Sequence, residues 1–313
     1  MRTGFEIFLL VAEELSISHA AQRAFVTQQC VSDHIKRLEN EYGVKLFERK
    51  PKLALAPAGK VLLESLRNIR ILEKNMDDSL HNMARGESGS FTLGISTSRA
   101  SVILPGLLSR YYKIFPKVNI SFCIEDTKIL AERLLRGEID VFIGVNTDPN
   151  PAFDIRTMAN DEIMLIISSK LLHEHFTDVE IGEMNGGVNL HRFRNIPFTL
   201  SFKTGKVNQV IMEYLNYHHL QLDVVYNISD SETQIMLCAC GICASLCPHM
   251  LLNSAYRHNL ASNEQNKLYM FPINNLDRPL HIDMVSHKGV IQPVFIRRFF
   301  ELLQEEVDRI SRQ

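Results

Sequence analysis

The sequence predicts an α/β protein of several domains: a small helical head, one long connecting helix, and a pair of units in which strands and helices alternate. Three observations carry this. Apolar residues among the first sixty positions recur at helical spacing. From Lys60 to Arg85 no Pro or Gly interrupts the chain, and beyond Gly89 short β-rich runs alternate with helical stretches.

Composition sets the outer limits. A chain of 313 residues can form two or three domains, each burying its own core, so the six cysteines are not required as staples. Hydrophobic residues make up 45% and charged residues 22%, as in ordinary globular protein, and no stretch reaches the roughly 20 apolar residues of a membrane span. The apolar run near the N-terminus is broken by Glu6, Glu13 and Glu14 and has no small-residue cleavage site after it. No membrane partner is therefore expected, and a cytoplasmic location with reduced thiols is. Net charge is −2, yet residues 1–60 carry nine Lys/Arg against seven Asp/Glu, a local balance of +2. Residues 34–60 hold seven cations and three anions, a modest basic patch that suits a small nucleic-acid-binding module attached to something acidic.

In the head, Phe5, Phe8, Leu9 and Ala12 form one helical stripe. Ser16 and Ser18 are N-cap candidates for a short second helix in which Ala20 and Ala21 permit close packing. Thr27 caps a third helix running from Gln28 to Tyr42, where Gly43 stops it. Val31, Ile35 and Leu38 face inward by their spacing, while Gln29, Ser32 and Lys36 share the opposite face. That face is either simply solvated or reads nucleic acid: Gln can bridge adenine N6 and N7, Ser can bond base or phosphate, and Lys can meet guanine or phosphate.

The run SISHAAQRAFVTQQCVSDHIKRLENEYGVKLFERK closely resembles the winged helix-turn-helix of LysR-type transcriptional regulators, with its Ala-Ala, Ser/Thr-Gln, Ser, Leu-Glu, Gly-Val and Leu-Phe-x-Arg at fixed spacing. The resemblance implies a head over residues 1–58 whose third helix enters the major groove of double-stranded DNA, and a wing between Leu46 and Leu55. It implies DNA contacts for Ser18, Thr27, Gln28, Gln29, Ser32 and Lys36, with Arg49, Lys50 and Lys52 on the wing. Gln29, Cys30 and His34 depart from residues common at these positions, and Asp33 would repel phosphate but accept from cytosine N4, so the operator sequence does not carry over. Cys30 adjoins the inner stripe and reads as a small buried side chain.

Pro57 suits a first helical turn, and Gly86 to Gly89 suit a hinge. Leu62, Leu66, Ile69, Met76 and Leu80 follow heptad spacing over residues 59–89, with Glu73 at the polar position. Such a seam packs on its own chain or on a partner. The resemblance implies the partner: a dimer that presents two heads to an inverted repeat, assembled further into a homotetramer, with RNA polymerase as another contact.

The runs FTLGIS, VNISFCI, DVFIGV, IMLIIS, FTLSF and DVVYNI, separated by helical stretches at 100–113, 128–136 and 205–218, predict parallel sheets covered by helices. Two units are expected, 90–160 and 161–267, with the chain returning to the first through YMFPI and HIDMVS and closing on it with a helix at 292–310. Residues 90–313 resemble the effector-binding domain of the same family, which is built like a two-lobed periplasmic-binding protein; RGEIDVFIGV is the most specific match. Strand ends of open α/β sheets and the helix N-termini beside them favour small anions. That geometry nominates Ser96, Thr97, Ser98, Arg99, Thr127, Phe202, Lys203 and Thr204 for a small-molecule effector, with Arg99 and Lys203 as charge partners and Ser229 to Ser231 as a rim.

No phosphate loop, nucleophile elbow or HExxH spacing argues for an enzyme, and no cofactor is implied. The remaining alternatives are catalysis on the solute-binding fold, or thiol-redox or metal sensing through CACGICASLCPHM at 238–250. In that stretch Gly241 ends a helix and ICASLC reads as a strand ending at Pro248. Cys243 and Cys247 then lie roughly 13 Å apart at ~3.3 Å per residue, too far for one zinc ion to bind all four thiols at ~2.3 Å. The cysteines therefore read mainly as core filling, with no metal expected, and Cys240 and Cys243, flanking the turn, are left as the pair able to meet.

Overall fold

A computed structural model describes residues 2–48, 52–85, 88–201, 205–290 and 292–312, without the side chains at 74, 75, 77–85 and 265. The chain divides into two compact units: Met1–Ala84 with Leu135–Gly137, and Arg85–Leu134 with Glu138–Gln313.

The first unit opens with α1 (Thr3–Glu14), α2 (Ile17–Arg23) and α3 (Gln28–Tyr42). Ser16 Oγ accepts from His19 N at 3.3 Å and Thr27 Oγ1 from Cys30 N at 3.2 Å, each satisfying a backbone donor that a helix start leaves open. Gly43 takes the left-handed φ of +65° that ends α3. Val31, Ile35 and Leu38 are buried as their spacing requires. On α1 the buried residues are Ile7, Phe8, Leu9 and Val11, with Phe5 and Ala12 at the margin, because α2 and α3 both pack on it and cover a wider arc than one stripe.

The wing is β1 (Phe47–Glu48) paired antiparallel with β2 (Ala54–Leu55), Phe47 opposite Leu55. The Phe47 ring rests 5.3 Å from that of Phe8. α4 (Pro57–Arg85) follows, and a Cβ on Gly59 would stand 2.1 Å from the Leu46 carbonyl oxygen, so only glycine allows this approach. The front of α4 completes the head's core: Leu66 is 1% exposed and Leu62 packs beside it. This corrects the heptad seam. Leu62 and Leu66 face the head, whereas Ile69, Leu72 and Met76 stand 41%, 55% and 55% exposed and form the open stripe. The Leu80 side chain lies outside the described residues.

The second unit holds two five-stranded sheets. The first lobe is built from β3 (Gly89–Ile95), α5 (Thr97–Ile114), β4 (Val118–Ile124), α6 (Thr127–Leu135), β5 (Val141–Val145) and β6 (Phe153–Asp161). The second follows as β7 (Ile163–Ser168), α7 (Ser169–His175), α8 (Asp178–Glu183), β8 (Pro197–Leu200), α9 (Lys206–Tyr217), β9 (Asp223–Asn227), α10 (Ser231–Ala239), β10 (Ala244–Pro248), α11 (Asn253–Ala261) and β11 (Leu268–Pro272). Then β12 (Leu280–His287) and α12 (Val294–Ser311) return to the first. Strand orders are β4-β3-β5-β12-β6 and β11-β7-β10-β8-β9.

Two expectations are corrected here. The sheets are mixed: β12 runs antiparallel to β5 and β6, and β7 antiparallel to β10 and β11. Strands that carry the chain between lobes enter without a crossover helix, so nothing obliges them to run parallel. Residues 268–272 also stay in the second lobe, since β11 pairs with β7 from Leu268 opposite Ser168, and the crossing falls between β11 and β12.

Phe91, Tyr111 and Phe299 form an aromatic centre in the first lobe, with ring centroids 5.1 and 5.3 Å from Phe299, and tie α12 to α5 and β3. Cys238, Cys243 and Cys247 are buried with Ile166, Ile235 and Leu252 in a corner of the second lobe. There Cys243 and burial together raise the pKa of the Cys238 thiol, while Cys240 is exposed at the end of α10. The expected approach of Cys240 to Cys243 is thereby corrected: Gly241, at φ +71°, turns the chain so that the partner of Cys243 is the inward-facing Cys238. Among the described residues no His/Cys/Asp/Glu group could hold a metal ion, and no helix is long and apolar enough to cross a membrane.

Candidate functional site

Two surfaces gather the nominated residues. The first is the start of α3. Thr27, Gln28 and Gln29 are exposed on its opening turn, Ser32 is half-buried one turn on, and Lys36 is exposed beyond it. Gln28 Nε2 donates to the half-buried Ser18 Oγ at 3.3 Å, which fixes the amide against α2. Gln29 Nε2 donates to Asp33 Oδ1 at 3.0 Å, so with this amide placement its oxygen is the outward group. In that state Gln29 offers an acceptor, matched to adenine N6 or cytosine N4, and must release Asp33 before it can bridge N6 and N7. Cys30 is half-buried rather than fully enclosed, because α3 exposes its first turn on both flanks. On the wing Lys52 is exposed, and Arg49 and Lys50 lie outside the described residues.

The second surface is a cavity of about 150 Å³ between the lobes of the second unit. Its lining includes Ser96, Ser98, Arg99 and Thr127 from the first lobe and Asn208, Ser229, Ser231 and Gln234 from the second. The helices α5 and α9 both begin here, with Ser96 and Gly205 as N-caps that contribute no side-chain capping bond. Their opening N–H groups therefore face a shared space without help from their own caps. Thr127 Oγ1 accepts from Val145 N at 3.1 Å, which aims its hydroxyl hydrogen elsewhere. Gln234 is fixed at both ends of its amide, donating to Ile228 O at 2.5 Å and accepting from Ser245 Oγ at 3.0 Å.

Arg99 reaches this lining, but its charge is already engaged. It is 2% exposed and faces Asp161, with Nη2 to Oδ2 at 3.3 Å. Burial lowers the guanidinium pKa and the Asp161 carboxylate opposes that shift. Arg99 is thus half of an internal ion pair rather than a free cation, a correction that follows from a partner 62 positions away in sequence. Thr97 is exposed and is not part of the lining, since the first turn of α5 points it outward. Phe202, Lys203 and Thr204 lie outside the described residues.

Sequence reasoning passed over Asn208, Gln234 and Lys206. All three sit in the opening turns of helices that follow strand ends, the signal that did nominate Ser96 and Ser98. Lys206 Nζ also meets Asp148 at 2.7 Å, linking the two lobes at the mouth of the cavity.

The model for the LysR substrate binding domain matches residues 84–308, and the model for the bacterial regulatory helix-turn-helix protein, lysR family, matches residues 3–60. A probable RuBisCO transcriptional regulator of Thalassiosira pseudonana is 28% identical over 222 residues, 66% of this chain and 72% of that protein. The HTH-type transcriptional regulator AlsR of Bacillus subtilis is 34% identical over 139 residues, 44% of this chain and 46% of its own. Matches to three other probable RuBisCO transcriptional regulators span 53, 54 and 58% of those proteins. The crystal structure of full-length CbnR complexed with its target DNA shares the fold, with a TM-score of 0.55 at 22% identity over 98% of this chain and 100% of that one.

Proposed function

The chain belongs to the LysR family of transcriptional regulators, DNA-binding proteins with an effector-binding domain and not enzymes, and from that premise we propose how this member divides its work. The opening turn of α3 reads base edges through Gln28, Gln29 and Ser32. Lys36 and Lys52, with Arg49 and Lys50, hold phosphates. Two heads brought together by the back half of α4 address an inverted repeat, and RNA polymerase is the further partner at the promoter.

The effector we assign to the interlobe cavity is a small anion, a carboxylate foremost. The observation that carries this is the convergence of the α5 and α9 N-termini on one hydroxyl-lined space. Hydroxyls and helix N–H groups take the charge, because Arg99 is spent on Asp161. At about 150 Å³ the space suits a ligand of roughly benzene size. Ligand held by both lobes favours their closed arrangement, and it shifts promoter binding only by its differential affinity for the two states.

The test is thermal denaturation against a panel of small carboxylates, amino acids and neutral analogues. A ligand at a hundred times its Kd should add roughly 2.7 kcal/mol. Stabilisation by neutral or cationic compounds alone would overturn the anion assignment.

A further inference from the structure

Phe25, in the turn between α2 and α3, is 96% exposed, more than any other large apolar side chain described. It is also strained. Its φ of +54° lies in the left-handed region, which suits Gly, Asn or His and which a bulky side chain rarely adopts. Three of the other non-glycine residues at positive φ are Asn146, His219 and Asn275, types that tolerate it. The turn needs that conformation: Phe25 N donates to Gln22 O at 3.2 Å and Val26 N to Ala21 O at 3.0 Å, which ends α2 and starts the chain toward Thr27. What the turn does not need is a phenyl ring in water.

Folding therefore gains nothing from an aromatic side chain at this position, and strain kept at an exposed site points to a partner. The position defines which one. Phe25 precedes by two residues the N-cap Thr27 of the helix whose first turn carries Gln28 and Gln29. In helix-turn-helix proteins the second helix reads bases with its N-terminal residues while the first crosses the backbone, so the turn between them lies at the rim of the groove. Thymine methyl groups and deoxyribose carbons are the apolar surfaces available there.

We propose that Phe25 is a DNA-contact residue, its ring packing on an apolar group at the edge of the major groove beside the bases addressed by Gln28 and Gln29. The assignment rests on α3 being the reading helix. A ring in that place contributes without neutralising phosphate, so its effect is independent of salt.

The test uses the full-length protein and a duplex recovered by it from a randomised pool. Phe25→Asn relieves the backbone and should melt at the same temperature as the unaltered protein or higher. Its affinity for the duplex should fall about tenfold, the low end of what burying a phenylalanine ring supplies, with the slope of log K against log salt unchanged. Phe25→Tyr should keep most of the affinity. Deoxyuridine in place of thymidine separates the two surfaces: positions that weaken the unaltered protein but not Phe25→Asn mark a thymine methyl, and none at all marks deoxyribose. Unchanged affinity in Phe25→Asn would overturn the proposal. Gln28→Ala and Gln29→Ala run alongside; if they too bind every sequence unchanged, it is the reading helix that fails.

Discussion

Arg99 of α5 and Asp161 at the end of β6 form a buried ion pair inside the first lobe: Nη2 stands 3.3 Å from Oδ2, and the side chains are 3% and 0% exposed. The other Asp161 oxygen accepts from Met250 N at 3.0 Å, so one carboxylate joins α5 of the first lobe to the turn after β10 of the second. Removing one partner leaves an uncompensated buried charge, at a cost of about 3–5 kcal/mol. Asp161→Asn should lower the urea midpoint accordingly, while Arg99→Met with Asp161→Leu together should recover much of the loss. A single-variant loss below about 1 kcal/mol would mean water reaches the pair.

The stripe on α4 has a boundary that sedimentation can locate. Leu66 belongs to the head's core and Ile69, Leu72 and Met76 do not. Leu66→Ala should destabilise the head by about 2–4 kcal/mol. Ile69→Asp with Met76→Asp should leave its melting intact and shift the protein toward a smaller species. If that pair of substitutions left the sedimentation coefficient unchanged, the stripe would not be the interface.

Periodicity made the head legible down to its caps, because Thr27, Gln28 and Gly43 act within a single turn of chain. What it could not supply was identity of partner. Leu62, Leu66 and Ile69 share one heptad spacing, yet the first two belong to the head's core while the third stands 41% exposed, and spacing carries no record of where a neighbouring domain ends. Arg99 was found by its place after a strand, but its neutralisation depended on Asp161, which only the tertiary fold brings near. Likewise the helix end and strand around Gly241 were readable, whereas the choice of Cys238 over Cys240 as partner to Cys243 was set by which face of α10 turns inward.

The cysteines should separate by reactivity. Burial pushes the Cys247 thiol up to about 12. The thiolate is the nucleophile, so at pH 8 only about one part in ten thousand of Cys247 is reactive even before access is considered. Cys238 is likewise raised, by Cys243 and by burial. Alkylation of the native protein at pH 8 followed by mass spectrometry should therefore label the exposed Cys240 well ahead of Cys238 and Cys247. The same shift links Cys247 to stability: the folded state holds its proton to about pH 12, whereas the unfolded thiol loses it near 8.5. Its contribution is intact below about pH 8.5 and falls away as pH rises toward 12. Early labelling of Cys247 would show the corner to be open.

Glu39 connects the reading helix to the wing. Its carboxylate, 6% exposed, accepts from Leu46 N at 2.9 Å and from Phe47 N at 3.4 Å, with Lys45 Nζ at 3.4 Å. The strand that starts the wing is thus oriented by a side chain of α3, and the angle between groove-reading and backbone-holding elements depends on it. Glu39→Ala strands two buried N–H groups and should cost the head about 1–3 kcal/mol. Glu39→Gln keeps an acceptor and should recover part of that. In DNA binding the two variants should differ from Lys52→Ala, which removes a cation and reduces the salt slope by about 0.9. The Glu39 variants keep every phosphate-holding cation, so their loss should fall on specific DNA more than on random sequence at the same salt. Equal losses on both would assign Glu39 to stability alone.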